Sequence, residues 1–87
     1  MSGQSPDKVR LRLLGRTYCH LCHDMEEALS PILDEFGIDM EVVDVDQHPT
    51  LEESWGELVP VLLHGETELC HYFLDAPRVR AYLDGLK

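Results

Sequence analysis

The sequence predicts an α/β domain in which one mixed four-stranded sheet is flanked by helices, in the order β-α-β-α-β-β-α. Three observations predict it. An alternating run at residues 9–14 passes into a run whose apolar residues recur three and four apart, from Met25 to Phe36. A strand pattern follows the glycine that closes that run. Two short strand patterns then flank Gly65-Glu66. Alternation marks a strand with one face buried, whereas spacing of three and four marks one face of a helix.

In residues 9–14, Val9, Leu11 and Leu13 alternate with Arg10 and Arg12, which makes the first strand. Gly15-Arg16-Thr17-Tyr18 connects it to a helix that Cys19 opens. Along that helix Met25, Ala28, Leu29, Ile32, Leu33 and Phe36 form the apolar face. Acidic residues lie mostly opposite, and Gly37 stops it. Pro31 predicts a kink, or a restart after Ser30, because proline lacks an N–H and its ring clashes with the preceding turn. Residues 40–46, with Met40, Val42 and Val45, read as the second strand.

Asp46-Gln47-His48-Pro49 supplies a cap and a first-turn proline for a short helix at 50–55, ended by Gly56. A third strand, Pro60-Val61-Leu62-Leu63-His64, begins at its proline. Gly65-Glu66 turns the chain into an antiparallel fourth strand at 68–73. Asp75 caps the last helix, with Pro77 in its first turn and an apolar stripe of Val79, Tyr82, Leu83 and Leu86. Strands separated by helices are expected to pair in parallel through right-handed crossovers.

Eighty-seven residues make one domain, expected over residues 9–87 behind a polar, disordered leader at 1–8. No apolar run approaches the roughly 20 residues of a membrane span. Seventeen acidic against seven basic residues give a net charge of −10. That balance disfavours nucleic acid and anionic lipid, which need clustered Lys and Arg, and it favours a soluble monomer. Three cysteines are too few for a disulfide-stapled secreted scaffold. The leader has no export signal, so a reducing, cytoplasmic compartment is expected. There a close cysteine pair is catalytic or metal-binding more often than structural.

Cys19-His20-Leu21-Cys22 sits at the strand-to-helix junction. A thiolate is the nucleophile in thiol chemistry, yet free cysteine, with a pKa of about 8.5, is mostly protonated at neutral pH. A helix N-terminus offers unpaired N–H groups and a positive dipole end, and both favour negative sulfur. Cys19 is expected to receive this help, partly exposed. Cys22 lies one turn in, within reach for closing a disulfide. The pattern suits attack by Cys19 on a substrate disulfide and resolution by Cys22.

Arg16-Thr17-Tyr18-Cys19-His20-Leu21-Cys22, then Val43-Asp44-Val45-Asp46, then Val59-Pro60-Val61-Leu62, resembles the glutaredoxin-like branch of the thioredoxin superfamily. The resemblance implies a thioredoxin fold and a thiol–disulfide oxidoreductase, with Cys19 as nucleophile and Cys22 as resolving thiol. It implies that Pro60 is the cis-proline beside the dithiol and that Val59 presents its backbone to an extended substrate. The residues alone suggest an ordinary trans proline beginning a strand. By the same resemblance Tyr18, His20 and Leu21 flank the substrate, and Arg16 takes the place of a glutathione-contacting lysine. Implied partners are a disulfide-containing protein, glutathione as co-substrate, or a reductase of the thioredoxin-reductase type, with no metal or organic cofactor.

Against the family's pattern, His20-Leu21 stands where glutaredoxins carry Pro-Tyr and thioredoxins Gly-Pro. Leu69-Cys70-His71-Tyr72 stands where glutaredoxins carry paired glycines and an acid. Other readings use the same residues. Cys19 and Cys22 with His23, His64, Cys70 or His71 offer donors for a zinc module. Cys-x-x-Cys-His also matches a haem attachment pattern, with Met25 and Met40 as axial candidates. The fold without turnover would be a binding adaptor. Cys70 reads as a small core residue or an extra thiol, His20 as a thiolate partner or a solvated loop residue. Trp55 and Tyr72 read as packing residues.

Overall fold

The structure is a computed structural model that describes residues 9–86. The leader expected at 1–8 lies outside the described residues. Four strands, β1 (Arg10–Gly15), β2 (Asp39–Asp44), β3 (Val61–His64) and β4 (Thr67–His71), form one sheet in the order β2-β1-β3-β4. Three helices accompany them: α1 (His20–Phe36), α2 (Pro49–Trp55) and α3 (Ala76–Gly85). No described helix is long and apolar enough to cross a membrane.

The sheet is mixed, as expected, but the direction of β3 corrects the expectation of parallel pairing across helices. β1 pairs with β2 in parallel and with β3 antiparallel. The reason lies in the connection at residues 45–60. Val43 and Val61 both pair with Leu14, so that connection leaves and re-enters the sheet at the same end. The segment holding α2 never runs the length of the sheet, and the returning strand must be antiparallel.

Each face of the sheet has its own core. Leu11, Leu13 and Leu62 meet Met25, Leu29 and Ile32 of α1 and Val79 and Leu83 of α3. On the opposite face Leu14, Val43, Val61 and Leu63 pack with Val45, and Leu51 and Trp55 of α2 cover them. Leu14 follows Leu13 directly, and both are buried because the inner strand is covered on both sides. Cys70 is buried beside Leu69 in the first core, the small core residue rather than an extra thiol at the dithiol.

Four boundaries differ from expectation. β2 stops at Asp44 because the Asp46 N–H bonds the Asp44 carboxylate at 2.9 Å, turning Val45–Gln47 into a 3-10 turn. β4 stops at His71 because Tyr72 adopts φ 66°, outside any strand. α1 runs uninterrupted through Pro31, whose ring lies on an exposed face, so no restart after Ser30 occurs. Leu86 lies beyond α3 and is exposed, so the apolar stripe ends at Leu83. Gly37 ends α1 as expected, at φ 64°, where a Cβ would be strained.

Candidate functional site

The dithiol occupies the turn where β1 meets α1. Cys19 is the N-cap of α1, extended at φ −119° and ψ 107°, and its Sγ accepts the Cys22 N–H at 3.1 Å. A helix start leaves such N–H groups without intrahelical partners, and here the sulfur takes one. Cys22 lies buried in the first turn and is bonded to Cys19 through their sulfurs, with the Cα atoms 5.2 Å apart. Cys19 itself is half-buried. Gly15, the last residue of β1, makes the close fit possible. A Cβ there would stand 3.1 Å from both the Cβ and the Sγ of Cys22.

The loop before Cys19 is tied to the β2–β3 connection. Arg16 donates to Glu52 at 3.1 Å and to the Gly56 carbonyl at 2.9 Å, and it also pairs with Asp46. The Glu52 hydrogen bond, with the Asp46 charge, raises the Arg16 pKa, and burial opposes them. Thr17 Oγ1 donates to Asp44 at 3.0 Å, and the Thr17 carbonyl accepts from His23 Nε2 at 3.2 Å. Tyr18 is fully exposed between these ties. His20 projects into solvent, with Nε2 3.9 Å from the Asp24 carboxylate.

The Val59–Pro60 peptide is cis. Pro60 is buried and precedes β3 at the sheet end that carries the dithiol loop, since Val61 pairs with Leu14. Its carbonyl accepts the Tyr72 N–H at 2.9 Å. On these residues the glutaredoxin-like domain family, DUF836, is matched over residues 10–84. The chain belongs to that glutaredoxin-like family.

Among its relatives, the uncharacterized protein Rv0508 of Mycobacterium tuberculosis is 32% identical over 79 residues, covering 85% of this chain and 81% of the relative. The solution structure of Ne2328 from Nitrosomonas europaea is similar at a TM-score of 0.77 and 36% identity, covering 94% of this chain and 98% of that one. The Escherichia coli glutaredoxin-like protein NrdH-redoxin shares the fold at a TM-score of 0.57, with 22% identity over 90% of this chain and 95% of that one. The fold is therefore the thioredoxin fold.

This glutaredoxin-like domain brings some of the expected site residues together and separates others. Tyr18, Cys19 and His20 line one shallow cleft with His23, Asp24 and Glu27. Leu21 opens onto a second groove between α1 and the segment after β4, which Asp24 also borders. Arg16 and Cys22 border a third pocket, of about 190 Å³, beneath the loop. Val59 and Pro60 line none of these three. The Arg16 guanidinium, expected near glutathione, is engaged with Asp46, Glu52 and Gly56.

The donors proposed for zinc are not gathered. Among the described residues no group of three or more His, Cys, Asp and Glu side chains is placed to hold a metal ion. His64 bonds the Tyr82 hydroxyl at 2.6 Å, and His71 bonds Glu68 at 2.5 Å. Two contributors are not marked by the periodic patterns. Gly15 reads as a mere connector until its distance to Cys22 is known. Phe73 falls inside the strand pattern of residues 68–73, although adjacent aromatics at a strand end are a visible signal.

Proposed function

We propose that this protein is a thiol–disulfide oxidoreductase whose Cys19 and Cys22 exchange with protein or glutathione disulfides. The reading is carried by one observation: the Cys19 sulfur caps α1 and accepts the Cys22 N–H, with the Cys22 sulfur within bonding distance. After reduction, the same N–H and the positive helix end favour thiolate over thiol at Cys19.

In the reducing direction, the Cys19 thiolate attacks one sulfur of the substrate disulfide. A Cys19–substrate disulfide forms, and the other substrate sulfur leaves as a thiolate and takes a proton from solvent. Cys22 gives up its proton and attacks the Cys19 sulfur. The internal disulfide forms, and the second substrate thiol is released. Two electrons and two protons reach the substrate. A low-molecular-weight thiol such as glutathione, or a reductase of the thioredoxin-reductase type, restores the dithiol by the reverse exchange.

Titration in graded glutathione buffers, read by alkylation and intact mass, tests the couple. The expected result is reversible loss of two hydrogens mapped to Cys19 and Cys22. Cys19→Ser is expected to abolish exchange, and Cys22→Ser to accumulate a mixed disulfide on Cys19. Full exchange by Cys19→Ser would overturn the assignment.

A further inference from the structure

Resting on that dithiol reading, we infer that the disulfide substrate is a protein segment carrying an apolar side chain and a Lys or Arg near its cysteine, seated in the groove between α1 and the Tyr72–Leu74 segment. Glutathione disulfide fits this groove poorly.

Leu21, Met25 and Ala28 of α1 line one wall, and Phe73 and Leu74 the other. Phe73 is 68% exposed and Leu21 39%, so two large apolar side chains of this groove face water. Contiguous exposed apolar surface of this kind marks a contact site more often than scattered surface residues do.

The aromatic wall is also held in place. Tyr72 sits in the left-handed region at φ 66°, which costs a residue with a Cβ of order 1 kcal/mol or more. Three contacts keep it there. Its N–H donates to the Pro60 carbonyl at 2.9 Å, its hydroxyl donates to the Glu57 carbonyl at 3.1 Å, and its ring meets His71 edge-on at 4.7 Å. This backbone turn points Phe73 outward instead of letting β4 continue. A preordered apolar wall loses little freedom when a segment docks on it.

Charge selects the occupant. The groove adjoins the dithiol cleft, since Asp24 borders both. Glu27 adds a second carboxylate to the cleft, and neither space is lined by Lys or Arg. The nearest cation on the loop, Arg16, is already paired with Asp46 and Glu52. The whole chain, at −10, adds a long-range field of the same sign. Glutathione disulfide carries more carboxylates than ammonium groups and has no apolar side chain, so it matches neither the wall nor the field. A segment with one apolar and one cationic side chain matches both.

The test gives the reduced protein three disulfides in turn, following the rate of thiol release. Two are disulfide-linked peptides of identical sequence except that Lys in one is Glu in the other, each with Leu beside its cysteine. The third is hydroxyethyl disulfide, which is neutral and small. The Lys peptide is expected to react about tenfold faster than the Glu peptide at low ionic strength, the gap closing to within about twofold at high salt.

Asp24→Asn with Glu27→Gln should bring the Lys-peptide and Glu-peptide rates to within about twofold of each other, a ratio that any change in Cys19 reactivity common to both peptides does not move. Phe73→Ala should slow both peptides and spare hydroxyethyl disulfide. Equal rates for the two peptides at low salt, or peptide rates untouched by Phe73→Ala, overturn the docking inference and leave the dithiol reading standing. No reaction with any of the three overturns both.

Discussion

Replacing Gly15 by Ala is the sharpest single probe of how the dithiol is packed. The added Cβ would stand 3.1 Å from both the Cβ and the Sγ of Cys22. Favourable carbon contacts lie at about 3.5–4.0 Å, so something must move by several tenths of an ångström. Little there is free to move. β1 is held by β2 on one side and β3 on the other, and Cys22 is fixed by the first turn of α1 and its bond to Cys19. Overpacking of a filled site costs about 1–3 kcal/mol.

With a urea m-value of about 1 kcal/mol/M for so short a chain, the oxidised variant's midpoint falls by about 1–3 M. A double-mutant cycle with Cys22→Ala measures the coupling to the Cys22 sulfur and its bond to Cys19 together, because that change removes both and keeps Cβ. The cost of Gly15→Ala should drop to about half in that background. It should also be smaller in reduced protein, where Sγ is free to rotate away. A Gly15→Ala variant as stable as the parent, or a cycle with no coupling, would refute the packing argument. Gly85→Ala is the control, since a Cβ there meets nothing within 4 Å.

Pro31→Ala should stabilise the protein by about 1–2 kcal/mol, because an interior helix proline costs about 3 kcal/mol and some is offset by the freer unfolded chain. The Pro31 ring is exposed, so no core contact is lost; a lower thermal midpoint would contradict this. For Cys70, burial pushes the thiol pKa up, so the folded protein keeps a proton that the unfolded chain loses. Its contribution is constant below about pH 8.5 and declines as pH rises above that value. With the Cys19–Cys22 bond kept oxidised, the stability gap between wild type and Cys70→Ala should narrow as pH rises through that range in urea titrations. A constant gap would show that Cys70 is not titrating with unfolding.

What could be read from the chain followed how local its cause was. The position of Cys19 at the start of α1 and of Cys22 one turn in was legible because both depend on the strand-to-helix junction and a separation of three residues. Gly37 and the Gly65-Glu66 hairpin were legible for the same reason, each a matter of a single left-handed glycine. The direction of β3 was not, because it depends on where residues 45–60 return to the sheet. Arg16 joins partners 30, 36 and 40 residues away, a separation that no periodic pattern records. The left-handed turn at Tyr72 was hidden by its residue type, since Tyr reads as a strand former and its contacts to Pro60, Glu57 and His71 hold it out of β4. The cis form of Val59–Pro60 was suggested by resemblance to a family, whereas the local residues favoured trans.

The ties of the loop before Cys19 bear on how the pair cycles. Arg16 and Thr17 are anchored through guanidinium and hydroxyl contacts to residues 44–56, and none of those contacts passes through sulfur. Opening the Cys19–Cys22 bond therefore releases two sulfurs without releasing the backbone that carries them. The dithiol and disulfide forms are expected to be nearly superimposable, so each turnover begins with little scaffold rearrangement.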